Sequence, residues 1–150
     1  MKNDNLQRFI DAQAPIYQTV ESELKNANKT SHWMWFIFPQ LKGLGLSSKS
    51  QFYGIADRDE AIAYLNHPIL GKHLLECCQI LLSYHDKSTE QIFGGIDSVK
   101  LKSSMTLFDK VYGVANDHTA NNVFEFVLNQ YFNGEKDLKT LELLESEINA

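Results

Sequence analysis

Two stretches of this 150-residue chain hold the residue types that could do chemistry, Ser31–Gly54 and Asp97–Tyr112. In the second, Lys100, Ser103 and Ser104 recur at helical spacing and share one flank, bordering the apolar face. A lysine beside two hydroxyls at a core margin can hold a phosphate or carboxylate. If its ammonium loses its proton readily, it can instead activate Ser104 as a nucleophile, although the familiar Ser-x-x-Lys order is reversed here. Lys102 points away from Lys100 by about 160°, toward solvent.

In the first stretch His32 leads the apolar run Trp33–Phe38 and is a candidate acid/base, since an imidazole titrates near neutrality. Trp33, Trp35 and Tyr53 could wall a cleft, with Gln13, Gln40 and Gln51 orienting a ligand by their amides. Taken singly, each reads first as a structural residue. The loop Gly43–Ser50 is one residue short of a phosphate-binding P-loop, with Ser48 where its second glycine belongs. No parallel α/β pattern surrounds it, and Gln51-Phe52-Tyr53-Gly54 makes a poor helix start, so a turn is expected. His67, His73, His85 and His118 form no metal-ligand spacing, so neither metal nor cofactor is expected. Arg8 borders the first apolar helix face, whereas Arg58 has acidic neighbours and suits a surface ion pair.

Composition narrows the function classes. The net charge is −5, from 14 Lys+Arg against 19 Asp+Glu, which argues against broad nucleic-acid binding or an anionic-membrane surface while leaving room for a small basic pocket. The longest apolar run has six residues, too short to span a membrane, and MKNDNLQRF has no apolar signal region; a cytosolic protein is expected. Cys77 and Cys78 are adjacent, a spacing unsuited to one metal, and read as buried thiols.

Positioning these residues requires helices. Leu6, Phe9, Ile10 and Gln13 share one side of a helix over 5–14, which Pro15 either kinks or follows by opening the next, and Ile16, Val20 and Leu24 face inward over 15–26. Ser31 is expected to cap a short helix through Ile37, ended by Pro39; the aromatic and β-branched content would equally suit a strand, but no partner strand is visible elsewhere. Residues 39–56 read as a long structureless connection, of a kind that is often functional. Asp57-x-x-Glu60 and Ser88-x-x-Gln91 are capping-box patterns; the first predicts a helix over 58–66 with Ile62 and Leu65 inward. A longer helix runs from Pro68 to Tyr84. Asp97 caps one that Gly113 ends, with Leu101, Met105, Phe108 and Tyr112 as its core face. Asn116 or Asp117 starts another, and Asp137 opens the last, through Glu147. The expectation is one all-α domain of seven or eight short helices.

The blocks LQRFIDAQAPIY, SHWMWFIFPQLKGLGLSSKSQFYGI, AIAYLNHPILGKHLLEC, EQIFGGIDSVKLKSSMTLF and FEFVLNQYFNGEKDLKTLELL span about residues 5–144. In these the chain resembles a bacterial family, domain of unknown function 1810, some of whose members carry a calpastatin-like label. The resemblance implies a mostly helical domain and brings no established activity. Calpastatin is disordered, whereas this chain has the periodicity of a packed globule. Gln13, His32, Trp33, Trp35, Gln40, Lys100, Ser103, Ser104 and Met105 fall on the family's motif. Two functions follow as expectations. One is a small-molecule-binding domain for an anionic or nucleotide-like ligand, with hydrolysis through His32 as its simplest chemistry. The other is a helical protein-interaction module without catalysis.

Overall fold

The computed structural model describes residues 5–116 and 122–149, among which ten helices follow one another: α1 (Gln7–Gln13), α2 (Tyr17–Lys25), α3 (Met34–Ile37), α4 (Ser48–Tyr53), α5 (Arg58–Asn66), α6 (Leu70–Leu82), α7 (Thr89–Phe93), α8 (Gly95–Asn116), α9 (Val123–Phe132) and α10 (Leu138–Asn149). The fold is all-α. It has more helices than the expected seven or eight, because several are only one or two turns long.

Local chemistry explains most boundaries. The Ser47, Asp57, Ser88 and Asn122 side chains accept backbone N–H bonds at the starts of α4, α5, α7 and α9, and at Ser88 the Gln91 amide completes a capping box. At Asp57 only half the box forms, because the Glu60 carboxylate turns instead to Arg8 and to the Ala56 N–H. Asn133 and Gly134, both at positive φ, end α9, and the Gly134 N–H returns to the Leu128 carbonyl.

Four expectations change. Ser31 does not cap α3; it hydrogen-bonds Glu23, and α3 starts at Met34 with Trp33 as an N-cap lacking any side-chain bond. The stretch 39–56 is not structureless. Leu41 and Ile55 form a parallel bridge that closes it, and α4 lies inside. In α5 it is Ala61 and Tyr64 that are buried, while Ile62 and Leu65 are only partly covered. Finally, α8 begins at Gly95 with Asp97 in its first turn, and passes through Gly113 to Asn116. Asn116 therefore closes a helix rather than starting one, and the alternative start, Asp117, lies outside the described residues.

α8 organises the core. It packs against α5, α7, α9 and α10, so its burial extends well beyond the single stripe expected. Leu101, Met105, Leu107, Phe108 and Val111 are all fully buried, with Ser103, Ser104 and Thr106 buried between them, whereas Tyr112 is only partly so. Around it Trp33, Phe38 and Phe93 meet in tilted and edge-to-face contacts, as do Phe9 and Tyr64. Cys77 and Cys78 are free thiols inside this core, and burial pushes Cys77 up to about 12.

Candidate functional site

The apolar run before Pro39 is anchored from below by one carboxylate. Glu23, buried at the end of α2, accepts from the N–H and hydroxyl of both Thr30 and Ser31 and from the Trp33 indole N–H at 2.9 Å. Burial by itself would raise this carboxyl, but the bonds from Ser31, Thr30 and Trp33 outweigh it and hold it down at about 2. The bound segment fixes Lys29 and His32 on either side of it. Lys29 leaves the core over Trp33, its Nζ 5.0 Å from the ring centroid and 2.6 Å from the Ser31 carbonyl.

The opposite wall is the start of α8. Gly94 has φ of +86°, a left-handed turn that glycine makes without steric cost, and it breaks α7 from α8. The first helical bond of α8 runs from Ser98 N–H to the Gly94 carbonyl, so the N–H groups of Gly95, Ile96 and Asp97 precede it. The Ser98 hydroxyl meets Thr89 at 2.5 Å and pins α8 to α7. From α8 the Lys100 ammonium lies 4.8 Å from the Trp35 ring centroid, and the exposed Lys49 of α4 lies 5.3 Å from the same ring. Asp97 sits between the two walls, 2.8 Å from Lys29 Nζ and 3.6 Å from Lys100 Nζ.

The space between these walls is a cleft of about 390 Å³ lined by Lys29, His32, Trp35, Asp97 and Lys100, with Met34, Phe93, Gly94, Gly95 and Ile96 completing it. That volume is in the range of small-molecule sites. A larger groove of about 560 Å³ lies between α2 and α6, lined by Glu21, Lys25, Glu76 and Tyr84 among others, its charged groups of mixed sign. Among the described residues no group of three or more His, Cys, Asp or Glu is placed to hold a metal ion.

Of the ten residues singled out from the sequence, His32, Trp35 and Lys100 line the cleft; the others lie elsewhere. Trp33 is fully buried on Glu23. The Gln13 amide is consumed in the core by the Phe36 carbonyl, the Tyr64 hydroxyl and His73. Gln51 is exposed and donates to the Leu46 carbonyl, steadying α4. Gln40 and Tyr53 border a void of only about 10 Å³ beside Trp35, too small for any ligand. Ser103 donates to Asp137 at the start of α10, and the Ser104 hydroxyl is completely buried without a hydrogen-bond partner. One turn along α8 from Lys100, the helix has already changed neighbours. Lys29, and Asp97 beyond its expected part as a helix cap, complete the site outside the residues that type and spacing single out. The available signal was Gly94-Gly95 followed by Asp97 and Lys100 three residues apart, a broken helix start carrying a charge pair.

Nor does the Gly43–Ser50 loop form a phosphate cradle. α4, which it leads into, is a six-residue helix, and its Lys49 is turned to Trp35.

The family described as "Protein of unknown function (DUF1810)" matches residues 3–144. The crystal structure of the conserved hypothetical protein Rv1873 from Mycobacterium tuberculosis is similar, with 46% sequence identity and a TM-score of 0.87; the match covers 94% of this chain and 96% of that one. No curated protein matches the sequence.

Proposed function

The chain belongs to the DUF1810 family of proteins of unknown function, and we propose that the cleft between its Lys29–Trp35 segment and the start of α8 binds the anionic group of a small molecule in the cytosol. One observation carries the reading. Two lysines from segments far apart in sequence converge on a single point, each ammonium held over an indole face. Cation–π contact restricts a long flexible side chain, so less freedom is lost when an anion arrives. The start of the 22-residue α8 adds partial positive charge to the same place.

The tryptophans therefore act as seats for lysines, and a nucleobase does not need to stack on Trp35 for the site to work. Besides its two lysines the lining holds two groups that can take a proton, His32 and Asp97, and no hydroxyl or thiol, so Ser104 has no part in the proposed chemistry. Hydrolysis here would have to proceed by direct attack of water with His32 or Asp97 as the base; binding is what the geometry favours. Among the described residues no helix is long and apolar enough to cross a membrane.

A thermal-shift screen against nucleotides and phosphorylated metabolites tests the proposal. The expected result is stabilisation by at least one phosphorylated compound, abolished in Lys100→Met with the unliganded melting temperature nearly unchanged. A ligand shift that survives Lys100→Met refutes it.

A further inference from the structure

We propose that Asp97 is the cleft's own resident anion, a tethered competitor that holds the anion affinity down, and that the lysine pair takes a dianionic phosphoryl group in preference to a singly charged carboxylate. The inference rests on the anion-binding reading above and goes on to ask which anions can use it.

The Asp97 carboxylate already occupies the position between the two ammonium groups, with Oδ2 at 2.8 Å from Lys29 and Oδ1 at 3.6 Å from Lys100. All three side chains are largely withdrawn from water, Lys29 most of all at 7% exposure, so their mutual attraction is weakly screened. An incoming monocarboxylate offers the lysines the charge and oxygens they already have. It must also give up its freedom of motion to compete with a group tethered in place, so it gains little.

A phosphate monoester differs on both counts. It carries roughly −1.5 to −2 charge near neutral pH and three strong acceptor oxygens. Those oxygens can take both ammonium groups and reach the N–H groups of Gly95, Ile96 and Asp97, which lie ahead of the first α8 bond. The extra charge strengthens the attraction to both ammonium groups, whereas an Asp97 carboxylate left in place would repel a dianion more than a monoanion, so the phosphoryl group binds by displacing that carboxylate from between them. The remaining lining is apolar at Met34, Phe93 and Ile96 and would meet whatever carries the phosphoryl group. Asp97 thus acts as a tethered competitor that lowers the affinity for every anion, while the preference for phosphoryl groups comes from their charge and their three oxygens.

The test is isothermal titration of the full chain with inorganic phosphate, pyrophosphate and acetate, in the wild type, Asp97→Asn and Asp97→Ser, with circular dichroism confirming the fold of each. The wild type is expected to bind phosphate or pyrophosphate and to prefer them over acetate by at least about tenfold. Both variants should bind phosphate about tenfold more tightly, and acetate should gain no more than phosphate, so the preference is kept or widened. Phosphate binding that depends on Lys100 but is unchanged or weakened in both Asp97 variants overturns this inference and leaves the anion site standing. Wild-type binding of acetate equal to that of phosphate overturns it too. Failure of the wild type and both variants to bind phosphate or pyrophosphate overturns the anion site and this inference together.

Discussion

Glu23 Oε1 accepts the indole N–H of Trp33 at 2.9 Å, inside the core, from a carboxylate that also holds the backbone of Thr30 and Ser31. The wall of the cleft that carries Lys29 and His32 therefore hangs on one buried charge. Its folded-state affinity for protons is far below the ordinary one, so the sign of its pH dependence is fixed. Its contribution is complete above the ordinary value of 4.5 and disappears as pH falls through about 2. The amount is on the order of 3 kcal/mol. Urea unfolding at intervals from neutral pH down to pH about 2 should show this loss, and Glu23→Gln, already destabilised at neutral pH by roughly 2–4 kcal/mol, should show a shallower acid limb. An acid limb identical to wild type would mean the carboxylate is not ionised in the fold.

Gln13 fixes a proton on its neighbour. The Phe36 carbonyl can only accept, so the Gln13 nitrogen faces it at 2.7 Å, and the amide oxygen is left to His73 Nδ1, also at 2.7 Å. Neutral His73 must then carry its proton on Nδ1, with its ring stacked on Tyr17 at 3.6 Å. Burial lowers its pKa from the ordinary 6.5, so the neutral form is favoured in the fold, and His73 costs stability as pH drops below that value. Long-range nitrogen–proton correlation spectra should show the Nδ1–H tautomer; the Nε2–H tautomer would contradict the network. In Gln13→Leu the tautomer preference should vanish, with a cost of about 1–3 kcal/mol from the buried bonds lost, chiefly at His73 Nδ1, because the Tyr64 hydroxyl still donates to the Phe36 carbonyl at 3.3 Å.

Two glycines should respond oppositely to the same substitution. A Cβ on Gly71 would stand 2.1 Å from the Leu65 carbonyl oxygen, where α6 presses against the end of α5. Backbone has to move, so Gly71→Ala is expected to cost about 2–4 kcal/mol in denaturant unfolding. A Cβ on Gly95 meets nothing within 4 Å, and Gly95→Ala should fall within about 0.5 kcal/mol of wild type. Equal effects at the two sites would rule out the close α5–α6 approach.

Fluorescence separates the two tryptophans. Trp33 is fully buried, whereas Trp35 is half-buried and lines the cleft. Anion titration should change the emission of Trp35, a response lost in Trp35→Phe and kept in Trp33→Phe. Trp33→Phe should instead lose roughly 2–4 kcal/mol of stability, because Glu23 loses a donor and the core loses volume. A ligand response that survives in Trp35→Phe would place the anion elsewhere.

How far these features could be read from sequence depends on whether their causes are local. The Ser88-x-x-Gln91 box and the Ile16, Val20 and Leu24 spacing act within one or two turns, and the helices they mark are present as α7 and α2. α4 escaped notice because its cap, Ser47, belongs to a run of hydroxyls that resembles a loop, and because the Leu41–Ile55 bridge that closes the segment joins residues with no periodic pattern between them. The site was half legible. Trp35 and Lys100 stood out by type, but Lys29 became part of it only through Asp97, on an element far along the chain. Ser103 and Ser104 share a helix flank with Lys100, yet α10 covers Ser103, and a helical wheel contains no information about a neighbouring helix.

The adjacent thiols of Cys77 and Cys78 have a practical consequence. Sealed in the interior and reluctant to ionise, they are shielded from alkylating reagents for as long as the molecule stays closed. Their modification rate in native buffer thus acts as a built-in clock for opening, reporting each excursion without an added probe. A single cysteine engineered on the surface, at exposed Lys49 for instance, can carry a dye while both natural thiols remain in place and unlabelled.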